Sequence, residues 1–241
     1  MKRCIICLLI AITALTTSCA YYPHLTGTPL IKEKGDTRIE GGLTLYSPSA
    51  QASFSRGLTE KLAFQAAASI GYDNYYTQGA LGYFKNINNK TVMELYGGVG
   101  FGHGDAYKDA NPGHLRGNYQ IYFAQFNIGN IEKKLANLEY GIGLKPGYLH
   151  SKMTDANYFF ISENYSKTDS YPVYSLNGFI FEPTVFLRFG GKNLKFNIAL
   201  GKCWMVQLTH TDKTFPVGSN FGIGVSYSFG GTSKKYPKAM R

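Results

Sequence analysis

Few side chains in this 241-residue sequence could do chemistry, and the candidates are histidines beside acids or a hydroxyl. His103-Gly104-Asp105 and His210-Thr211-Asp212 set an imidazole and a carboxylate two positions apart, which puts both on one face of an extended chain. His150-Ser151 sets a candidate base beside a candidate nucleophile. Each would serve as a general base once a third group oriented the ring. No His-x-x-x-His or Cys/His spacing marks a metal site. The run Gly97-Gly98-Val99-Gly100-Phe101-Gly102 has no Lys-Ser/Thr after it and no helix signal, so its glycines are assigned to close packing rather than to phosphate. No cofactor and no metal are expected.

These residues sit at the ends of extended segments. From Thr37 onward the chain alternates with period two. Leu62, Phe64, Ala66, Ala68, Ile70 and Tyr72 share one face, with Ala63, Gln65, Ala67, Ser69 and Gly71 on the other. The same split separates Leu138, Tyr140, Ile142 and Leu144 from Glu139, Gly141, Gly143 and Lys145. Phe221, Ile223, Val225, Tyr227 and Phe229 likewise oppose small residues. The pattern predicts ten strands, over 37–46, 50–58, 62–72, 75–85, 91–103, 118–130, 137–149, 174–189, 193–209 and 219–229. Spans of about 9–11 tilted residues cross a bilayer core.

The connections sort by side. Thr59–Lys61, Asn86–Lys90, Ile131–Ala136 and Gly190–Lys192 are short, whereas Gly104–Gly117 and His150–Val173 are long. Membrane barrels combine short periplasmic turns with long extracellular loops. The expected fold is therefore all-β: a closed antiparallel up-and-down transmembrane β-barrel of about ten strands, with eight or twelve as alternatives. Closure follows because hydrocarbon offers no partner to an unpaired sheet edge. Tyr46, Tyr72, Tyr83, Phe101, Tyr122, Tyr148, Trp204 and Phe229 fall near strand ends, where interfacial aromatic girdles belong.

Composition agrees. The chain is 44% hydrophobic and 17% charged, with 28 Gly and 19 Tyr, which disfavours a charged helical bundle, a coiled coil or a disordered tail and leaves a secreted all-β domain or an outer-membrane barrel. Its mean hydropathy of −0.17 is ordinary, as it is for barrels, whose polar lumen offsets an apolar exterior. With the apolar face outward, the lumen receives Arg38, Glu40, Glu94, Glu139, Lys145, Glu182, Arg188 and Lys195. These four acids and four bases are expected to pair and to fill a narrow bore. A narrow polar path or small-ligand site between the same groups is the alternative. Lys202 falls on the apolar face, either snorkelling at the outer interface or marking a slip of register.

The N-terminus has the order of a secretory signal: Lys2 and Arg3, an apolar stretch from Ile5 to Leu15, small residues, then Cys19. Leu15-Thr16-Thr17-Ser18-Cys19 resembles the lipobox of bacterial lipoproteins, whose cysteine becomes the lipidated first residue of the mature chain. Thr16 stands where that pattern has Leu. The resemblance implies acyl chains such as palmitate on Cys19. An ordinary signal cut after Ala20 is the alternative. On the lipoprotein reading, residues 1–18 are signal, 19–36 a periplasmic tether, 37–229 the barrel and 230–241 a basic tail. Cys4 and Cys7 leave with the signal, so Cys203 has no partner for an intramolecular disulfide.

At the other end, Gly224-Val225-Ser226-Tyr227-Ser228-Phe229 looks like the terminal signal strand of outer-membrane proteins, here followed by twelve more residues. Residues 19–229 together resemble small lipoprotein-anchored outer-membrane barrels of Gram-negative bacteria. That resemblance implies an outer-membrane location with lipid as the surrounding partner, and an even strand count then sets both termini on the periplasmic side. Loops 104–117 and 150–173 would contact a surface ligand or protein, the second through the apolar Asn157–Ile161. An exported chain is not expected to bind nucleic acid. The leading function is a structural or surface-binding role without catalysis. One alternative is a barrel enzyme acting on lipid or peptide at the outer rim through His103, His150 or His210. Omptin-like proteases and lipid A acyl-modifying enzymes are similar in setting a His beside an acid or Ser there. The other alternative is a narrow small-solute pore.

Overall fold

Aromatic and branched residues alternating with small or polar ones suit a pleated sheet whose two faces meet different surroundings. The computed structural model describes residues 19–108, 113–132, 137–155, 172–211 and 213–231. The strands are β1 (Thr37–Thr44), β2 (Ser49–Gly57), β3 (Leu62–Gly71), β4 (Asn74–Asn86), β5 (Thr91–Lys108), β6 (Gly113–Glu132), β7 (Leu138–Asp155), β8 (Val173–Gly190), β9 (Leu194–Lys202), β10 (Trp204–Gln207) and β11 (Ser219–Phe229). Strands β1 to β8 pair antiparallel in sequence order. β9 pairs with β8 and β11, and β11 pairs with β1, which closes the sheet.

β9 and β10 are two halves of one strand. Both pair with β8 in a single register, Thr184 opposite Gly201 and Phe181 opposite Trp204. At the interruption the Cys203 N–H donates to the Gly218 carbonyl at 3.0 Å. From Trp204 onward, β10 keeps β8 as its strand partner. The fold is a closed, ten-stranded, up-and-down antiparallel barrel.

The two faces are unlike throughout. Ile39, Phe54, Leu81, Leu95, Ile142, Val185, Ile198 and Val225 are exposed on the outside, a belt of apolar side chains suited to hydrocarbon. Tyr83, Tyr140, Tyr227 and Phe229 ring the short-turn end, and Phe101, Tyr122, Phe179 and Trp204 the long-loop end. Lys202 lies outside in unbroken register, its Nζ 5.2 Å from the Trp204 ring centroid.

Two sequence expectations are corrected. The strands run further towards the long-loop rim than alternation indicates, so much of the expected loops is sheet. Gly104–Lys108 pairs with Gly113–Gly117, and His150–Thr154 pairs with both β6 and β8. Glycines and charges interrupt the hydropathy pattern there, but the backbone ladder does not need it. The second correction concerns residues 19–36, expected as a tether. They pass through the barrel interior, where Ala20, Tyr21, Leu25, Leu30 and Ile31 are all buried. Gly104 and Gly57 allow the close approach: a Cβ at Gly104 would collide with the Ala20 carbonyl, and one at Gly57 with that of Glu33.

Candidate functional site

The bore is the most elaborated part of the molecule. Residues 19–36 form no strand or helix there, so their backbone polar groups need side-chain partners. The barrel wall supplies them in order along the bore. At the long-loop rim, Ala20 N–H donates to the Pro216 carbonyl at 3.0 Å and the Tyr21 carbonyl accepts from Gly218 N–H at 3.0 Å. Asn220 donates to the Pro23 carbonyl at 3.1 Å, and Gln51 Oε1 accepts from Leu25 N–H at 2.8 Å. Ser53 Oγ donates to the Thr26 carbonyl at 2.5 Å, and Gln125 to that of Gly27. Arg188 donates to the Thr28 carbonyl at 2.6 Å, and Glu94 accepts from Ile31 N–H at 2.7 Å. Asn86 donates to the Lys32 carbonyl at 2.7 Å, and Gly57 N–H to that of Asp36 at 2.9 Å, at the short-turn rim. The segment is thus a single thread running from one rim to the other. Cys19 and Gly231 consequently lie at opposite rims, not on one side.

All eight inward charges lie buried in this bore. Five form one network in the short-turn half. Arg38 grips Glu139 with both terminal nitrogens, at 2.6 and 3.1 Å. Lys195 reaches the same carboxylate at 3.1 Å, and Arg188 approaches it at 3.6 Å. Arg188 also lies 2.8 Å from Glu40, whose oxygens accept no aligned hydrogen bond and are held by charge. Lys145 and Glu182 pair at 3.1 Å further up, and Tyr21 Oη joins them, donating to Glu182 at 2.5 Å and accepting from Lys145 at 3.0 Å. Glu94 has no salt bridge among the described residues. It accepts instead from Ile31, Asn127 and Tyr96.

Above the Lys145–Glu182 pair the bore turns apolar. The Tyr21 ring meets Tyr76 and Tyr119 edge-on, with centroids 5.5 and 5.7 Å away. Phe215, from the β10–β11 connection, packs on Tyr119, and Ile121, Leu149, Met153 and Leu176 are buried around them. Among the described residues, cavities of about 20 Å³ beside Leu25 and about 10 Å³ beside His24 lie in the bore, each on the scale of a single water, and a wider one of about 650 Å³ opens beside Lys32 and Lys195 at the short-turn end. His24, expected in the tether, is buried here with Nε2 3.0 Å from the Ala68 carbonyl.

The rim candidates do not assemble as their spacing indicates. His103 lies outside, hydrogen-bonded to Asn118 at 2.8 Å and stacked on Tyr75. Asp105 pairs across the hairpin with His114 instead. His150 and Ser151 point to opposite faces: His150 Nδ1 lies 2.7 Å from Asn177, while Ser151 Oγ donates inward to the Leu176 carbonyl at 2.7 Å. In a strand, adjacent residues cannot share a face, so they form no base–nucleophile pair. His210 is exposed. Asp212, residues 109–112 and the 156–171 segment with its aromatic patch lie outside the described residues. Cys19 is buried at the long-loop rim, its N–H donating to Tyr22 Oη at 2.8 Å.

No protein-family model matches the chain, and no curated protein matches it in sequence. Solved structures that resemble it are outer-membrane barrels. Ail, the attachment invasion locus protein of Yersinia pestis, is 13% identical with a TM-score of 0.36, covering 81% of this chain and 99% of its own. The KdgM porin is 10% identical with a TM-score of 0.34, covering 80% and 99%. The N-terminal barrel domain of Pseudomonas aeruginosa OprF is 14% identical with a TM-score of 0.28, covering 81% and 98%. Likeness at this level carries no inference about ligand or activity.

Alternation alone does not reveal the thread. Its signal lay in Tyr21, Leu25, Leu30 and Ile31, too apolar for a solvated tether, and in the inward Gln51, Gln125 and Asn220, which carry donors and acceptors without charge.

Proposed function

We propose that the chain is an outer-membrane lipoprotein whose barrel is permanently filled, with a structural or surface-binding role and no catalysis. The observation that carries this reading is the continuous set of wall-to-thread hydrogen bonds, from Asn220 at one rim to Asn86 at the other. A displaceable plug would leave those buried groups unpaired on leaving, at about 1–3 kcal/mol each. The long-loop rim, where β5 to β8 project, is the contact surface for a ligand or protein. Cys19 carries the lipid: its sulfur takes a diacylglyceryl group from a membrane phospholipid, a C–S bond replacing the C–O bond to the headgroup phosphate, which leaves as the thiol proton is lost. Water then cleaves the Ser18–Cys19 peptide bond.

Conductance in planar bilayers tests the filled bore. The purified protein is expected to give no steady current, whereas deleting residues 22–31 opens discrete steps. Steady ohmic current through the intact protein would overturn the reading in favour of a pore.

A further inference from the structure

The thread has a direction, and that direction fixes where the mature chain begins. We infer that the N-terminus reaches the long-loop face through the chain's own bore, so that the acyl chains on Cys19 enter the leaflet facing the cell exterior. This inference rests on the lipoprotein reading above for the lipid, but not for the path.

The path is carried by partners at three heights. Ala20 and Tyr21 are bonded to Pro216 and Gly218 at the long-loop rim, Thr26 and Gly27 to β2 and β6 midway, and Asp36 to Gly57 at the short-turn rim. The chain does not double back. Long loops mark the outer face of membrane barrels and short turns the periplasmic one, so residue 19 lies outside and residue 231 inside.

The wall beside the exit also carries a mark of headgroup depth. Cys19 Sγ lies 3.2 Å from where a Cβ on Gly218 would stand, beside the point at which Cys203 interrupts the ninth strand. Beyond that point β10 pairs with β8, and on its other side the wall is completed by the loop and by Tyr21, which bridges Val217 in parallel. The anchor residue thus sits against the inner side of the wall. On its outer surface sit Lys202 and Trp204, Nζ 5.2 Å from the ring centroid, the pair of residue types that marks headgroup depth. A thioether at Cys19 would therefore start at the level of the outer-leaflet headgroups, with acyl chains turning down over the rim into hydrocarbon. Were the lipid in the periplasmic leaflet, residues 20–31 would have to leave the bore and abandon their bonds to the wall, from Ala20 to Ile31.

The test places one epitope between Cys19 and Ala20 of the full chain and another after Arg241, and stains cells before and after permeabilising the outer membrane. The first epitope is expected to stain equally in both, the second only after permeabilisation, with the unboiled protein still migrating as a compact barrel on SDS gels. An N-terminal epitope hidden until permeabilisation would overturn the inference. Growth with an alkyne fatty acid separates the two halves: no label on the wild-type chain removes the lipid, while surface staining would still uphold the path. Should the insertion prevent barrel formation, the epitope goes before Ala20 in a Cys19→Ser chain behind a cleavable signal. The same two staining outcomes then decide.

Discussion

The two halves of the bore solve one problem by different physics. Around Tyr21, near the long-loop rim, the thread is held by aromatic and aliphatic contacts with Tyr76, Tyr119 and Phe215. Below Thr28, towards the short-turn rim, it is held by charges and directed hydrogen bonds from Arg188, Glu94 and Asn86. Apolar packing tolerates small displacements and loses energy in proportion to area. A buried ionic network does not: removing one member strands another charge. The lower half should therefore be brittle and the upper half forgiving.

The most damaging single change should be Arg188→Met. It leaves Glu40 without its nearest cation and frees the Thr28 carbonyl, a loss of about 3–5 kcal/mol by analogy with broken buried pairs. The readout is the temperature at which the compact unboiled band disappears on SDS gels. Adding Glu40→Met to that variant should restore much of the loss, because a buried pair replaced by apolar groups is often neutral. No recovery would mean that the charges are not coupled and the halves do not differ as described.

A milder change sharpens the contrast in the upper half. Tyr21→Phe keeps the ring among Tyr76 and Tyr119 and removes only the hydroxyl between Lys145 and Glu182. Those two remain paired at 3.1 Å, so the expected cost is about 1–3 kcal/mol. A loss as large as that of Arg188→Met would show that the polar contact dominates both halves. Smallest of all should be Lys202→Met on the outer wall, with no resolvable change in the melting of the band. A clear loss there would move Lys202 from the interface into a structural role.

Sequence alone shows the wall but not its filling. Leu62 to Tyr72 and Phe221 to Phe229 state their faces by alternation, because the side-chain period of a strand is local. The interruption at Cys203 is invisible, since Gly201, Cys203 and Met205 still alternate with Lys202, Trp204 and Val206. The thread is invisible for another reason: its partners are remote, with Pro23 meeting Asn220 across 197 positions and Thr28 meeting Arg188 across 160. The inward charges could be placed on a face, but which acid meets which base depends on barrel curvature. That is why Glu94 serves a backbone N–H rather than a cation. His103 and Asp105 do share a face, yet strand pairing gave each a nearer partner across the ladder, Asn118 and His114.

The thread also bears on how long a molecule lasts once made. The chain passes through a ring that its own first and last strands close, with Arg38 opposite Ser228 at the seam. Loss of one rim does not release the segment, because the bonds along the rest of the bore still hold it, and it can leave only lengthwise or when the seam parts. Its persistence would then be set by the rate at which those bonds break together rather than by the balance of folded and unfolded populations.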